Sequence, residues 1–97
     1  MILTLENIKT KKTAIITLAA QYHAENVRVF GSVARDEATE ESDIDFLVSF
    51  TEKASLFDQV GLMDALSVLL QRKVDVVSER AVNPHLQKII NSEALPL

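Results

Sequence analysis

The sequence contains no cysteine and no tryptophan, and only two glycines and two prolines. Without cysteine, disulfides and thiolate metal sites are excluded. With so few glycines and prolines, each one punctuates the chain at a point worth reading. Long apolar runs are missing too. No stretch approaches the roughly 20 residues needed to span a bilayer. Glu6, Lys9, Lys11 and Lys12 interrupt the apolar segment that a signal peptide would need. The expectation is a soluble cytoplasmic protein with no membrane partner.

Positive charge is scarce as well. Ten Lys and Arg against fourteen Asp and Glu give a formal net charge of −4 and a pI of about 5.0. Proteins that grip a duplex draw affinity from neutralised phosphates, so direct duplex binding is not expected. A single nucleotide held through a metal, or a basic protein surface, remains compatible with an acidic chain. At 97 residues and 47% hydrophobic content, residues 1–97 read as one domain with a modest core. There is no internal repeat, linker or low-complexity tract.

Periodicity supplies the elements. Leu5 to about Tyr22 reads as one helix, with Leu5, Ile8, Ile15, Ala19 and Tyr22 on one face and Lys12 interrupting that stripe. Lys9, Lys11 and Lys12 read as a solvated face. Val27 to Phe30 reads as a strand ending at Gly31-Ser32, and Ser32 to Asp36 as one or two helical turns. Asp43 to Phe50 alternates: Ile44, Phe46, Val48 and Phe50 take one face, and Asp43, Asp45, Leu47 and Ser49 the other. Ser55 reads as the N-cap of a helix running to about Gln71, with Asp58 at its third position. Leu56, Val60, Met63, Leu66 and Leu70 are expected on its core side. Gly61, inside that helix, is expected to weaken it by up to about 1 kcal/mol relative to Ala. Lys73 to Val77 reads as a third strand with Asp75 on the face opposite Val74 and Val76. Asn83-Pro84 marks a turn or helix start, and Leu86, Ile89 and Ile90 suggest a short helix ending near Pro96. The expected fold is α/β (α+β), a small mixed sheet with helices mainly on one face.

The chemistry rests on three weak signals in a specific order. Asp43 and Asp45, at i and i+2, share a strand face, where two carboxylates repel unless a cation lies between them. Mg²⁺ favours oxygen ligands and takes one or two carboxylates plus phosphate oxygens. Alone, an Asp-x-Asp also suits the solvated end of a strand. Gly31 permits close backbone approach to a ligand, and Ser32 offers a hydroxyl and amides to a phosphate. Alone, the pair also suits a strand-ending turn. Asp75, between Val74 and Val76, is an acid in an apolar strand, which burial disfavours unless it has a purpose. Alone, it also suits a wet edge. Together they place phosphate donors opposite a carboxylate cluster, as two-metal phosphoryl chemistry requires, with the third carboxylate a metal ligand or general base. His23 and His85 lack metal-ligand spacing and read as surface or capping residues.

The stretches Val29-Phe30-Gly31-Ser32-Val33-Ala34-Arg35 and Glu41-Ser42-Asp43-Ile44-Asp45-Phe46-Leu47-Val48 resemble the signature of the polymerase-β-type nucleotidyltransferase superfamily. They look most like its minimal nucleotidyltransferase branch. Val74-Asp75-Val76-Val77 is similar to that family's third acidic strand, and Ile89-Ile90-Asn91-Ser92-Glu93-Ala94 to its endings. The resemblance implies a polymerase-β-like nucleotidyltransferase fold and a metal-dependent transfer from ATP or a related NTP. It implies Gly31 and Ser32 as the triphosphate-binding pair. Asp43 and Asp45 become the ligands of Mg²⁺, with Mn²⁺ as an alternative. Asp75 becomes the third carboxylate, metal-bound and assisting the incoming hydroxyl. Arg35 matches a frequent family arginine near phosphate or partner; a surface salt bridge with Asp36 or Glu37 is the competing reading. Ser42 fits the family and either orients a carboxylate or caps the turn. Asp36 departs from the glycine that many relatives carry.

Such a short chain leaves no room for an acceptor domain, so the acceptor is expected on another protein. The branch resembles antitoxins paired with helical HEPN-type RNase toxins. That resemblance implies transfer of AMP onto a partner tyrosine, or neutralisation by binding alone. Retention of Gly31, Ser32, Asp43, Asp45 and Asp75 favours the enzyme. A small-molecule nucleotidyltransferase, resembling aminoglycoside-modifying enzymes, would need an oligomer to complete its pocket. A polymerase remnant is disfavoured by charge and size. Homo- and hetero-oligomers are both left open.

Overall fold

The structure, a computed structural model, describes residues 4–39, 41–81 and 84–97. Helix α1 spans Leu5–Thr10 and α2 spans Lys12–Gln21. Thr4 caps α1 by accepting from the Asn7 amide, and the Asn7 side chain returns the bond to the Thr4 amide. The single helix expected here is therefore two. The break falls at Lys11, whose amide donates to Ile8 at 3.0 Å while its carbonyl accepts from Ile15. The turn lies beside Lys12, where the apolar stripe is interrupted, and it still leaves Ile8, Ile15 and Ala19 fully buried.

Strand β1 spans Ala24–Phe30 and β2 spans Ile44–Phe50. Helix α3 spans Leu56–Leu70, β3 spans Val74–Ser78, and a 3₁₀ turn follows at Glu79–Ala81. Helix α4 spans Pro84–Glu93 and a two-residue strand β4, Leu95–Pro96, ends the sheet. The sheet order is β3-β2-β1-β4: β2 runs antiparallel to β1 and parallel to β3, and β4 is antiparallel to β1. This is the expected small mixed sheet. β4 was not expected, since a two-residue strand carries no periodicity. Asn83 and the side chains of Leu86, Ile89 and Asn91 lie outside the described residues.

The β1–β2 register shifts between Glu25 and Arg28, and Asn26 there has a φ of +53°. Only the half of β1 after the shift alternates cleanly, which is why the sequence shows a strand from Val27 alone. The core face of the sheet presents Val29, Ile44, Phe46, Val48, Val74 and Val76 to Ile8, Ile15, Ala19, Leu62, Leu66 and Leu70. The core face of α3 keeps Leu66 and Leu70 as expected, with Met63 packed against it, but takes Leu62 in place of Leu56 and Val60. Leu62, Leu66 and Leu70 are buried, whereas Leu56 is 74% exposed and Val60 46%. The helix is apolar almost all round, so its sequence does not single out one stripe.

Gly61 has a steric role. A Cβ there would lie 2.5 Å from the Tyr22 ring, so glycine lets α2 end against α3. Ser55 and Asp58 form the expected capping box, with Asp58 accepting from the Ser55 amide at 2.8 Å. On the exposed β3 edge, the Gln59 side chain donates to the Val76 carbonyl at 2.8 Å.

Candidate functional site

The site forms at the end of the sheet where β1 finishes and β2 and β3 begin. Phe30 pairs with Asp45, and Asp45 pairs with Asp75 in the parallel ladder. Directly opposed residues share a sheet face, so the two carboxylates are neighbours on the face opposite the main core. Asp43 lies one residue before β2, which begins at Ile44 rather than at Asp43. Its carboxylate is 3.7 Å from Lys73 Nζ.

Asp45 is half-buried, and its carboxyl is held above the usual carboxylate range. Burial is the largest cause, followed by the charges of Asp75 and Asp43; Arg35 acts in the opposite sense. The Asp45 carboxylate presses against Gly31. A Cβ at position 31 would overlap the Asp45 side chain, and Gly31 has a φ of +76°. Both the backbone angle and the carboxylate's position require glycine here. Close approach of backbone and acid creates a cradle in which amides and carboxylates can face one ligand.

After Gly31 the chain makes a single helical-type turn that does not continue into a helix, the shorter of the forms expected from Ser32 to Asp36. The Arg35 amide donates to the Gly31 carbonyl at 3.1 Å and Glu37 to the Ser32 carbonyl at 2.8 Å. Asp36 closes the turn with a φ of +58° and its side chain exposed. That left-handed angle explains why a glycine suits this position, and why Asp, among the residues that tolerate it, can replace it. Its charge faces water. The Ser42 hydroxyl accepts from the Thr39 amide at 2.8 Å, so it caps the turn and does not orient a carboxylate. Arg35 pairs with Glu37 at 3.1 Å and with Glu93 at 3.0 Å. The competing salt-bridge reading thus holds for Glu37, while Asp36 is not the partner. The pairing of Arg35 with Glu93 carried no signal in the sequence, because 58 residues separate the two.

Among the described residues, no three acid or histidine side chains converge into a finished metal cage. Mg²⁺ in nucleotide sites uses one or two carboxylates and completes its shell with phosphate and water. The donor set fits that role: hard oxygen ligands, mutual repulsion at Asp45, and an open face beside Gly31. His23 and His85 are exposed, away from this cluster in the chain and outside any metal grouping.

Lower on the same face, Leu47 is 1% exposed yet lies outside the main core cluster. Beyond it, Ser49 donates to Glu79 at 2.6 Å and Arg28 Nη2 lies 3.3 Å from the same carboxylate oxygen. The Ser49 hydrogen bond is the chief cause of a lowered Glu79 carboxyl. This network was not legible in the sequence, since its members come from β1, β2 and the 3₁₀ turn. No helix among the described residues is long and apolar enough to cross a membrane.

Comparison with known proteins gives the same direction. The family model described as polymerase beta, nucleotidyltransferase matches residues 12–95. The protein adenylyltransferase MntA of Thermococcus cleftensis is 36% identical over 94 residues, covering 96% of this chain and 95% of that protein. A solved structure, provisionally named a minimal nucleotidyltransferase, superposes with a TM-score of 0.88 at 46% identity, over 98% of this chain and 97% of its own. At 20% identity, where likeness concerns the fold alone, a Shewanella oneidensis structure superposes with a TM-score of 0.69 over 91% of this chain and 69% of its own. That structure is of a tri-AMPylated HEPN toxin in complex with an MNT antitoxin.

Proposed function

This chain belongs to the polymerase beta nucleotidyltransferase family, and from that premise we propose that it transfers AMP from ATP to a hydroxyl of a partner protein, a tyrosine of a HEPN-type RNase toxin, and so acts as an antitoxin. The observation that carries this reading is the Asp45–Asp75 register pair set against Gly31. It gathers acids and a bare backbone on one open face, as nucleotidyl transfer needs. The named activity of the Thermococcus relative supports a protein acceptor, and the AMPylated HEPN toxin beside a chain of this fold supports the partner.

In this reading Gly31 and Ser32 hold the triphosphate through backbone amides and the serine hydroxyl. Asp43 and Asp45 would hold Mg²⁺, with Asp75 completing the set. Bound there, the metal would neutralise phosphate charge and lower the pKa of the attacking hydroxyl. Asp75 orients that hydroxyl and takes its proton. The phenolic oxygen forms a bond to the α-phosphorus while the bond to the bridging oxygen breaks. AMP stays on the tyrosine and pyrophosphate leaves. Arg35 lies within electrostatic reach of Asp45 and supplies positive charge for the triphosphate. Residues 1–97 act as a single transfer domain, with the acceptor supplied by the partner.

The test is a transfer assay with α-labelled ATP, Mg²⁺ and a HEPN-type partner. Label on the partner that disappears in Asp43→Asn supports the enzyme. A tight complex with no label from any NTP would replace this reading with an antitoxin that works by binding.

A further inference from the structure

Arg35 is the only basic residue between Gly31 and Phe50, a stretch that also contains Asp36, Glu37, Glu40, Glu41, Asp43 and Asp45. Its backbone is fixed to the phosphate-facing turn by the bond from its amide to Gly31. Its guanidinium is held by two carboxylates, Nε on Glu37 at 3.1 Å and Nη1 on Glu93 at 3.0 Å. Glu37 is two residues away and moves with the turn. Glu93 is different, because it is the last residue of α4 and reaches the turn from another part of the fold.

Both bonds are charge-assisted and use donors that a phosphate would use in the same way. The Arg35 side chain is 42% exposed and that of Glu93 31%, so water screens the pair and exchange of partner is easy. A triphosphate at Ser32 brings several negative charges to within one turn of this guanidinium. It also meets the electrostatic opposition of Glu93, which sits on the guanidinium of that turn.

We propose that Glu93 is a competing ligand for Arg35: it holds the guanidinium while the site lacks nucleotide and yields it to the triphosphate on binding. The inference rests on the nucleotide-binding reading above and adds a residue outside the signature stretches of β1, β2 and β3. The contact is autoinhibitory, because each ATP must displace a carboxylate before it gains the arginine. It also ties nucleotide binding to the far end of the chain. Glu93 leads through Ala94, whose amide donates to Ile90 at 2.7 Å, into β4, and Leu95 in β4 pairs with Val29.

The test measures the Kd of Mg²⁺ with α,β-methylene ATP by calorimetry for the wild type, Glu93→Gln, Arg35→Gln and the double variant. Glu93→Gln should bind about twofold to fivefold tighter, the scale of a screened ion pair. Arg35→Gln should bind more weakly than wild type, and adding Glu93→Gln to it should restore nothing. Glu93→Asp, which keeps the charge but shortens its reach, should fall between wild type and Glu93→Gln and covers the case of a misfolded amide variant. Equal affinity of wild type and Glu93→Gln, or a gain that persists without Arg35, overturns the competition while leaving nucleotide binding standing. Absence of binding in every variant overturns the nucleotide reading and the competition together. Binding by Glu93→Gln alone supports both.

Discussion

Asp45 faces Asp75 across the parallel β2–β3 ladder, and on its other side pairs with Phe30, the residue before Gly31. One acid is thus pinned between a second acid and a glycine. Its carboxyl is held high by burial first and by the charges of Asp75 and Asp43 after that.

Asp45→Asn should therefore stabilise the metal-free protein at neutral pH. The raised carboxyl binds more protons folded than unfolded between the ordinary 3.8 and its folded value. Stability contributed by that proton is lost as pH rises through the window. The variant should remove this slope and raise Tm by on the order of a few degrees, modestly because half of the carboxylate remains in water. Thermal melts from pH 4 to 8 with and without Mg²⁺ decide the matter. A variant that melts lower at every pH, or that still gains stability from Mg²⁺ and ATP as the wild type does, contradicts the assignment.

Gly31→Ala should cost about 1–3 kcal/mol of stability, the range for a residue forced into a left-handed angle, and should abolish nucleotide binding by displacing the Asp45 carboxylate. Urea unfolding and calorimetry separate the two effects. Unaltered affinity for ATP in a folded Gly31→Ala protein would show that the cradle is not the phosphate site.

Asp36→Gly should do the opposite. The φ of +58° suits glycine, so relief of that strain should add about 0.5–1 kcal/mol. Transfer activity should stay near wild type, because the Asp36 side chain points to water. A large rise in ATP affinity would instead mean that this charge faces the triphosphate.

Gly61→Ala should lower Tm even though alanine is the better helix former by about 1 kcal/mol. The added methyl meets the Tyr22 ring, and overpacking typically costs about 1–3 kcal/mol. The variant Gly61→Ala/Tyr22→Leu should recover stability relative to Gly61→Ala. If it does not, the glycine is there for another reason.

The order of the three longer strands and of α3, the alternation in β2 and the sharing of one face by Asp45 and Asp75 were legible, because strand periodicity depends only on neighbouring residues. The sequence also contained Gly31 but not the reason for it, which requires knowing that Asp45 ends up against its α-carbon. Leu66 and Leu70 were legible as core, but Leu62 and Val60 could not be told apart, since α3 is apolar on most sides and tertiary packing selects Leu62. The break at Lys11 was legible as an interruption at Lys12 and not as a turn. Pairs such as Arg35–Glu93 and Ser49–Glu79 join residues with no common local pattern, so only the folded chain reveals them.

At Asn26 the pairing of β1 with β2 shifts by one residue. Before it, Ala24 is opposite Phe50; after it, Val29 is opposite Phe46, so β1 has gained one residue on β2. Strand sides alternate by odd and even position, and this single insertion changes the parity of everything that follows in β1. Were all of β1 kept and paired without the extra residue, the Ala24–Phe50 register would run on to swap inside for outside along Val27 to Phe30, and would bring Gly31 level with Asp43 instead of leaving Phe30 level with Asp45. The bulge at Asn26, remote from the site along β1, therefore sets the reading frame in which Gly31 and Asp45 meet.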